Sequence, residues 1–186
     1  MSPADGTLPL GADDASGAVA PAAGATPVDG DQFRLAMGRF ATGVTVLTTF
    51  SAGHDHAMTA NAIASVSMEP MLVLACVEID ARFHEAIAEA GTWGVSILSS
   101  SQRPTADWLA TQGRPLHGQL DRIPYHRGKT GVALLDGALA TIECQTTDIH
   151  PAGDHSIVVG EVVSLGVAEH PGAALTYYRS RYGALS

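Results

Sequence analysis

Cysteine is scarce in this chain: there are two among 186 residues, with no CxxC pair and no Cys/His spacing of the kind zinc needs. Basic residues are scarce as well, ten Lys and Arg against nineteen Asp and Glu. That deficit excludes the basic field of a duplex nucleic-acid binder and a polybasic membrane anchor. No apolar run approaches the roughly 20 residues of a spanning helix, so no membrane partner is expected. The GxGxxG dinucleotide fingerprint is absent, and so is the GxSxG elbow of serine hydrolases. Gly128-Lys129-Thr130 resembles the end of a phosphate loop, but Ile123 stands where that loop's first glycine belongs. His54 and His56 would share a strand face, yet no third ligand accompanies them. They read as a solvated turn, and no metal is expected.

What is present is enough for a core. Hydrophobic residues make up 46% and charged residues 16%, which fits one globular domain. The charge is uneven. Residues 1–30 carry four Asp and no Lys or Arg, leaving fifteen acids against ten bases in residues 31–186. That first segment is Ala, Gly, Pro and Asp without an aromatic, so it reads as a disordered tail ahead of a domain over 31–186. It has neither the pattern of a secretory signal nor the Arg-rich character of a transit peptide. Cys76 and Cys144 lie in apolar runs and read as buried thiols of a reducing compartment, so a cytoplasmic location is expected.

Periodicity places a helix over residues 32–41, capped by Asp31, and a strand over 44–50 that returns as a hairpin through 57–60. A small-residue strand follows to Ser67. The continuous apolar run 71–77 predicts a strand buried on both faces. Residues 81–90 predict a helix stopped by Gly91, then a strand over 93–98 and a short helix over 102–111 starting near Pro104. Residues 113–133 read as a long loop. Strands over 138–147 and 155–169 flank a turn at Gly153, with Gly160 and Gly166 as bends, and a short helix is expected near 173–178. Six or seven strands in hairpin-like pairs and about four short helices favour an antiparallel barrel over a doubly wound sheet.

Two constellations carry chemistry. In Met58 to Ser67, small side chains would let a planar heterocycle lie on the backbone, while Thr59, Asn61, Ser65 and Ser67 supply donors and acceptors. A plain packed strand has the same composition. Gly153-Asp154-His155 places a His beside an Asp at a turn, suited to titration or ligand donation, and equally to a surface hairpin. Tyr177 to Tyr182 supplies rings and guanidinium planes for stacking, or for a dimer contact.

From about Phe33 to Leu185 the chain resembles the short-chain flavin reductases, reductase components of two-component flavin monooxygenases with an FMN-binding split-barrel fold. The likeness rests on blocks in order: Phe40-Ala41-Thr42-Gly43-Val44-Thr45-Val46, Thr59 to Ser67 with Glu69-Pro70, and Leu72 to Cys76. Gly137 to Ala140 with Glu143-Cys144, Gly153-Asp154-His155 with Gly160-Glu161-Val162, and Tyr178-Arg179 with Tyr182-Gly183 complete it. The resemblance implies a mainly β, antiparallel Greek-key split barrel with peripheral helices. It also implies that Ala57, Met58, Thr59, Asn61 and Ala62 line the flavin, that Ser65, Val66 and Ser67 meet its polar edge, and that Cys76, Val77 and Glu78 lie beside it. Arg82 and Phe83 open the helix that would receive the flavin phosphate, a role the helix amides suit chemically; Gln102 would reach the same phosphate. His155, Tyr178 and Arg179 would meet the nicotinamide dinucleotide. The hydroxyls common in the family near Phe83 and His84 are missing, Met71 stands where a second proline is common, and residues 113–129 lack the usual aromatics near Gly118.

The expected activity is NAD(P)H-dependent reduction of FMN or FAD, with hydride passing from nicotinamide C4 to flavin N5 between rings about 3–3.5 Å apart. His155 is the expected catalytic side chain, orienting the nicotinamide or assisting proton balance. The expected partners are a monooxygenase that receives reduced flavin and a second copy of the chain. The alternatives are a flavoprotein with tightly held FMN and another redox role, or an assembly partner without a working site.

Overall fold

The computed structural model describes residues 27–186, so the tail expected over the first residues lies outside the described residues up to 26. The first element, α1 (Gly30–Met37), is capped by Asp29 rather than Asp31: the Asp31 amide donates to Asp29 Oδ1 at 3.4 Å. Strands β1 (Thr42–Gly43), β2 (Thr45–Ser51), β3 (His54–Ala60), β4 (Ile63–Met68) and β5 (Met71–Glu78) follow. Next come α2 (Arg82–Ala90), β6 (Thr92–Ile97), a 3-10 turn at Ser100–Gln102, and α3 (Arg103–Ala110). The chain finishes with β7 (Tyr125–Arg127), β8 (Ala133–Leu135), β9 (Ala140–Ala152), β10 (His155–Val167), β11 (Ala174–Tyr178) and β12 (Arg181–Leu185).

Seven strands form one sheet in the order β3-β2-β6-β9-β10-β5-β4, every pairing antiparallel. Its two edge strands are consecutive in sequence, joined by Asn61-Ala62 alone. In a flat sheet those edges would lie about 29 Å apart, six spacings of ~4.8 Å. The link from Ala60 to Ile63 spans at most about 11 Å. The sheet therefore curls until its edges meet at Asn61-Ala62, while β3 and β4 do not pair with each other among the described residues. The architecture is mainly β and antiparallel as expected, with an open seam and no closed ladder.

Two apolar cores sit on opposite sides of β2. Leu47 packs with Trp93, Val95, Ile87, Val77 and Val158 inside the curl. Its neighbour Val46 packs with Leu98, Leu109, Leu135 and Leu175 outside it, under α3 and β8. So β2 is the strand buried on both faces, and the expectation for residues 71–77 needs correcting. In β5 only Val73, Ala75 and Val77 are buried; Leu72, Leu74 and Cys76 stay half-exposed on the outer face. Cys144 is buried, whereas Cys76 is only half-buried.

Three further expectations fail locally. Residues 174–178 are a strand and not a helix, because Thr42-Gly43 and β12 supply backbone partners on both sides. The expected loop over 113–133 contains the β7–β8 pair. The described chain has twelve strands, well above the expected six or seven. Gly91 does end α2 in a left-handed conformation (φ 65°), and Gly160 does sit at a register shift against β9. The second shift lies between Val162 and Ser164, not at Gly166.

Candidate active site

One end of the curled sheet holds a cavity of about 430 Å3. Its walls are β3 (His56 to Thr59), the end of β5 with Glu78, the start of α2 (Arg82, Phe83) and the segment after α3 that carries Arg114 and Gln119. The geometry follows from edge-strand chemistry. An edge strand leaves backbone groups without sheet partners, and at Ala57 the following loop supplies them. Gln119 Oε1 accepts from the Ala57 amide (3.1 Å), and Arg114 Nη2 donates to the Ala57 carbonyl (3.0 Å). Thr59 Oγ1 ties β3 to α3 by donating to the Ala106 carbonyl (2.8 Å).

The cavity is positive on one side. Arg82 Nη2 donates to the Arg114 carbonyl (2.6 Å), and Arg114 also donates to the Thr111 carbonyl. Among the described residues neither guanidinium has a carboxylate within salt-bridge reach. Burial and then the neighbouring Arg82 charge push the Arg114 pKa down, though such a group stays protonated at neutral pH. The α2 N-terminus opens on the same wall, and its cap residue Ala81 has no side-chain hydrogen bond to the helix amides. Free amides and two cations fit a phosphate-bearing ligand. Phe83 borders the cavity, but it is 5% exposed and belongs to the inner core.

His56 corrects the solvated-turn reading. It is 8% exposed, its ring lies 4.4 Å from that of His54, and His117 stands edge-on to His54 at 4.7 Å. Burial first, then His54 and Arg82, push its pKa down against the Ser51 and Asp55 contributions. Its Nε2 has no partner. Among the described residues no group of three His, Cys, Asp or Glu is arranged to hold a metal ion.

His155 starts β10 opposite Glu78, so it lies on the rung beside the cavity wall. Its Nδ1 bonds Asp154 Oδ1 at 2.7 Å. An ionised carboxylate only accepts, so Nδ1 carries the proton and Nε2 is the nitrogen left for a ligand. That bond, then the electrostatic pull of the His155 ring, holds the exposed Asp154 carboxyl below the usual carboxylate range.

The remaining expected residues spread beyond this cavity. Asn61 and Ala62 are exposed on the seam, where Asn61 Nδ2 donates to Thr42 Oγ1 (3.2 Å) and the Ala62 carbonyl accepts from the Cys76 amide (2.9 Å). Ser65, Val66 and Ser67 lie along β4, at a register shift that leaves Val66 out of step with β5. Cys76 faces outward, while the Val77 side chain is in the core. Gln102 does not reach the cavity: its Oε1 accepts from the Ser99 amide (3.0 Å) and its Nε2 donates to the Asp136 carbonyl (3.1 Å). Tyr178 and Arg179 line a separate cavity with Arg181 and Tyr182, so the structure does not bring them to His155 within one chain. Arg179 and Ser180 form a tight turn with φ of 50° and 58°, held by the Arg179 amide donating to the Gly38 carbonyl (2.9 Å).

Sequence reasoning missed Arg114 and the buried state of His56. It also left open what the Gly128-Lys129-Thr130 segment holds. The amides of Lys129 and Thr130 bind the buried Glu143 carboxylate at 3.0 and 2.6 Å, so this anion nest is filled from within the chain.

A curled antiparallel sheet with an anion-receiving cavity at one end defines a β protein suited to phosphorylated ligands. A model of the flavin reductase like domain matches residues 37–186, and the chain belongs to that family. An NADH-dependent flavin reductase from a Rhodococcus species is 39% identical over 82% of this chain and 84% of its own length. The solved structure of BorF, the flavin reductase component of a bacterial two-component tryptophan halogenase, is 41% identical, with a TM-score of 0.80 over 84% of this chain and 98% of BorF. The Streptomyces globisporus NADH:FAD oxidoreductase SgcE6, solved with NAD and FAD fragments, is 32% identical with a TM-score of 0.79 over 87% of this chain and 98% of its own.

Proposed function

We propose that this protein is a flavin reductase that oxidises a reduced nicotinamide dinucleotide and passes reduced flavin to a partner monooxygenase. The observation that carries the reading is family membership over residues 37–186 together with the anion-receiving cavity at the start of α2. The names of the Rhodococcus relative and SgcE6 favour NADH over NADPH as reductant. BorF's role as one component of a pair favours supply of flavin to a separate oxygenase. FMN and FAD are both candidate flavins.

When both ligands are bound, the nicotinamide supplies a hydride from C4 and the flavin takes it at N5. The protein's work in this reading is placement. Arg82 and the free α2 amides hold the phosphate. Ala57, Met58 and Thr59 wall the flavin, and the Asn61 to Ser67 rim offers backbone groups to its polar edge. Cys76, Glu78 and the Val77 backbone close the side beneath His155. His155 orients the nicotinamide through Nε2, with Asp154 fixing the tautomer. Tyr178 and Arg179 receive the rest of the dinucleotide, from the second cavity.

The reading includes a homodimer. Leu74 and Cys76 of β5, with Val159 and Ile157 opposite them on β10, make with Leu72 an apolar outer face that one chain leaves half-exposed and that Glu161 borders. A second copy covering that face would bury it and would bring other cavities to the flavin rim. The catalytic unit is residues 31–186, residues 1–30 take no part in turnover, and the protein works in the cytoplasm. No helix among the described residues is long and apolar enough to cross a membrane. A steady-state matrix of FMN and FAD against NADH and NADPH tests the reading. Flavin-dependent oxidation of NADH supports it; no oxidation with either flavin overturns it.

A further inference from the structure

The cavity at the start of α2 contains a second cation that the family likeness did not assign. Arg114 lies 32 residues from Arg82 in sequence, yet the Arg82 guanidinium donates to the Arg114 carbonyl at 2.6 Å. Both guanidinium groups are oriented by backbone carbonyls of Ala57, Thr111 and Arg114. Neutral carbonyls fix direction without cancelling charge. Each guanidinium has five N–H donors. Arg114 spends two of them on carbonyls and its buried Nε has no partner. Arg82 spends one. His56, 8% exposed and with Nε2 unpartnered, lines the same cavity. Two like charges lining one cavity repel, and an anion between them relieves that repulsion.

We infer that Arg114 is a specificity-determining residue which closes with Arg82 on the phosphate or pyrophosphate of a bound nucleotide, and so selects phosphorylated ligands. The inference rests on the flavin reductase reading for its substrates, though not for the clamp itself. Glu78 and Asp80 also line the cavity and, among the described residues, form no ion pair with either arginine, so their charge opposes any anion that the two guanidinium groups do not hold directly.

The test compares the wild-type chain with Arg114→Gln in two experiments. The first is calorimetric titration with inorganic pyrophosphate. The variant should bind it about tenfold to hundredfold more weakly, the effect of losing charge-assisted hydrogen bonds. The second is turnover with FMN and with riboflavin. A fall of about tenfold or more in the FMN-to-riboflavin ratio of kcat/KM assigns the clamp to the flavin phosphate. A rise in KM for NADH with that ratio intact assigns it to the dinucleotide. Pyrophosphate affinity within about twofold of wild type, with neither kinetic change, overturns the clamp. If the wild-type chain turns over no flavin, the functional reading fails and the pyrophosphate titration still decides the clamp. Should Arg114→Gln not fold, Arg114→Lys keeps the charge but loses the planar fork and should give a smaller change of the same sign. No change in that variant also overturns the inference.

Discussion

Replacing Glu143 with Gln should cost the protein about 2–4 kcal/mol of stability at neutral pH, and much less in acid. Glu143 is 2% exposed on β9, and its two oxygens take three hydrogen bonds from the 128–130 segment. Oε1 accepts from the Lys129 amide at 3.0 Å; Oε2 accepts from the Thr130 amide and hydroxyl, both at 2.6 Å. Gly128 packs so closely that an added Cβ would collide with the carboxylate. Gln has nearly the same shape but one oxygen only. Turned to keep the Thr130 bonds, it sets its NH2 against the Lys129 amide, donor against donor. One bond to a charged group is lost outright, worth about 1.5–3 kcal/mol, and the other two weaken on losing the charge. Burial alone would raise the Glu143 carboxyl, but the bonds from Thr130, Lys129 and Ser164 outweigh it and hold the pKa below the ordinary value. A carboxyl depressed in the fold contributes stability above its unfolded pKa, and that contribution is lost as pH falls through the folded one. Well below the ordinary carboxylate range the wild-type carboxyl approaches the neutral state that Gln imitates. Urea denaturation at neutral and acidic pH measures both quantities. In thermal scans the neutral-pH loss corresponds to roughly 4–16 °C in Tm. A loss under about 0.5 kcal/mol at neutral pH, or an equal loss in acid, refutes the argument.

Other perturbations probe different parts of the account. A Cβ at Gly160 would lie 2.8 Å from Trp93 Cζ2 and 2.9 Å from the Cys144 Cβ, so Gly160→Ala should destabilise by about 1–3 kcal/mol in the same denaturation assay. His155→Asn removes the Nε2 contact and the Asp154 pairing; KM for NADH should rise about tenfold while binding of flavin alone changes little. Leu74→Glu puts a charge in the middle of the half-exposed apolar face, and light scattering should show a shift from the proposed dimer to monomer. Burial, then Glu143, pushes the Cys144 thiol up to about 12, so Cys144 should resist alkylation in native protein at neutral pH and react after denaturation, as peptide mapping would show.

The sequence carried the local parts of this structure and lost the long-range ones. Strands β2 and β6 were readable from their β-rich runs and β3 from the turn signal at residues 51–54, and Gly91 marked the end of α2 by needing a left-handed φ of 65°. Residues 174–178 misled because Ala-Leu-Thr-Tyr-Tyr is too short for its period to separate helix from strand. Pairing with Thr42-Gly43, more than 130 residues earlier, decided it. β5 looked buried on both faces because its outer side chains are apolar, which is equally the signature of a face awaiting a partner. In the site, His155 and Arg82 could be named because each sits at a recognisable turn or helix start. Arg114 could not, since its meaning comes from the Ala57 carbonyl 57 residues away. Glu143 left one trace, a carboxylate between Ile142 and Cys144 in a strand that otherwise alternates.

Anaerobic mixing of the protein with NADH and FMN or FAD tests the central claim most directly. The account predicts that flavin colour bleaches in step with NADH loss, one for one, and that NADH carrying deuterium at the transferred C4 position slows both signals together. Bleaching no faster than in protein-free solution, with either flavin, would contradict it.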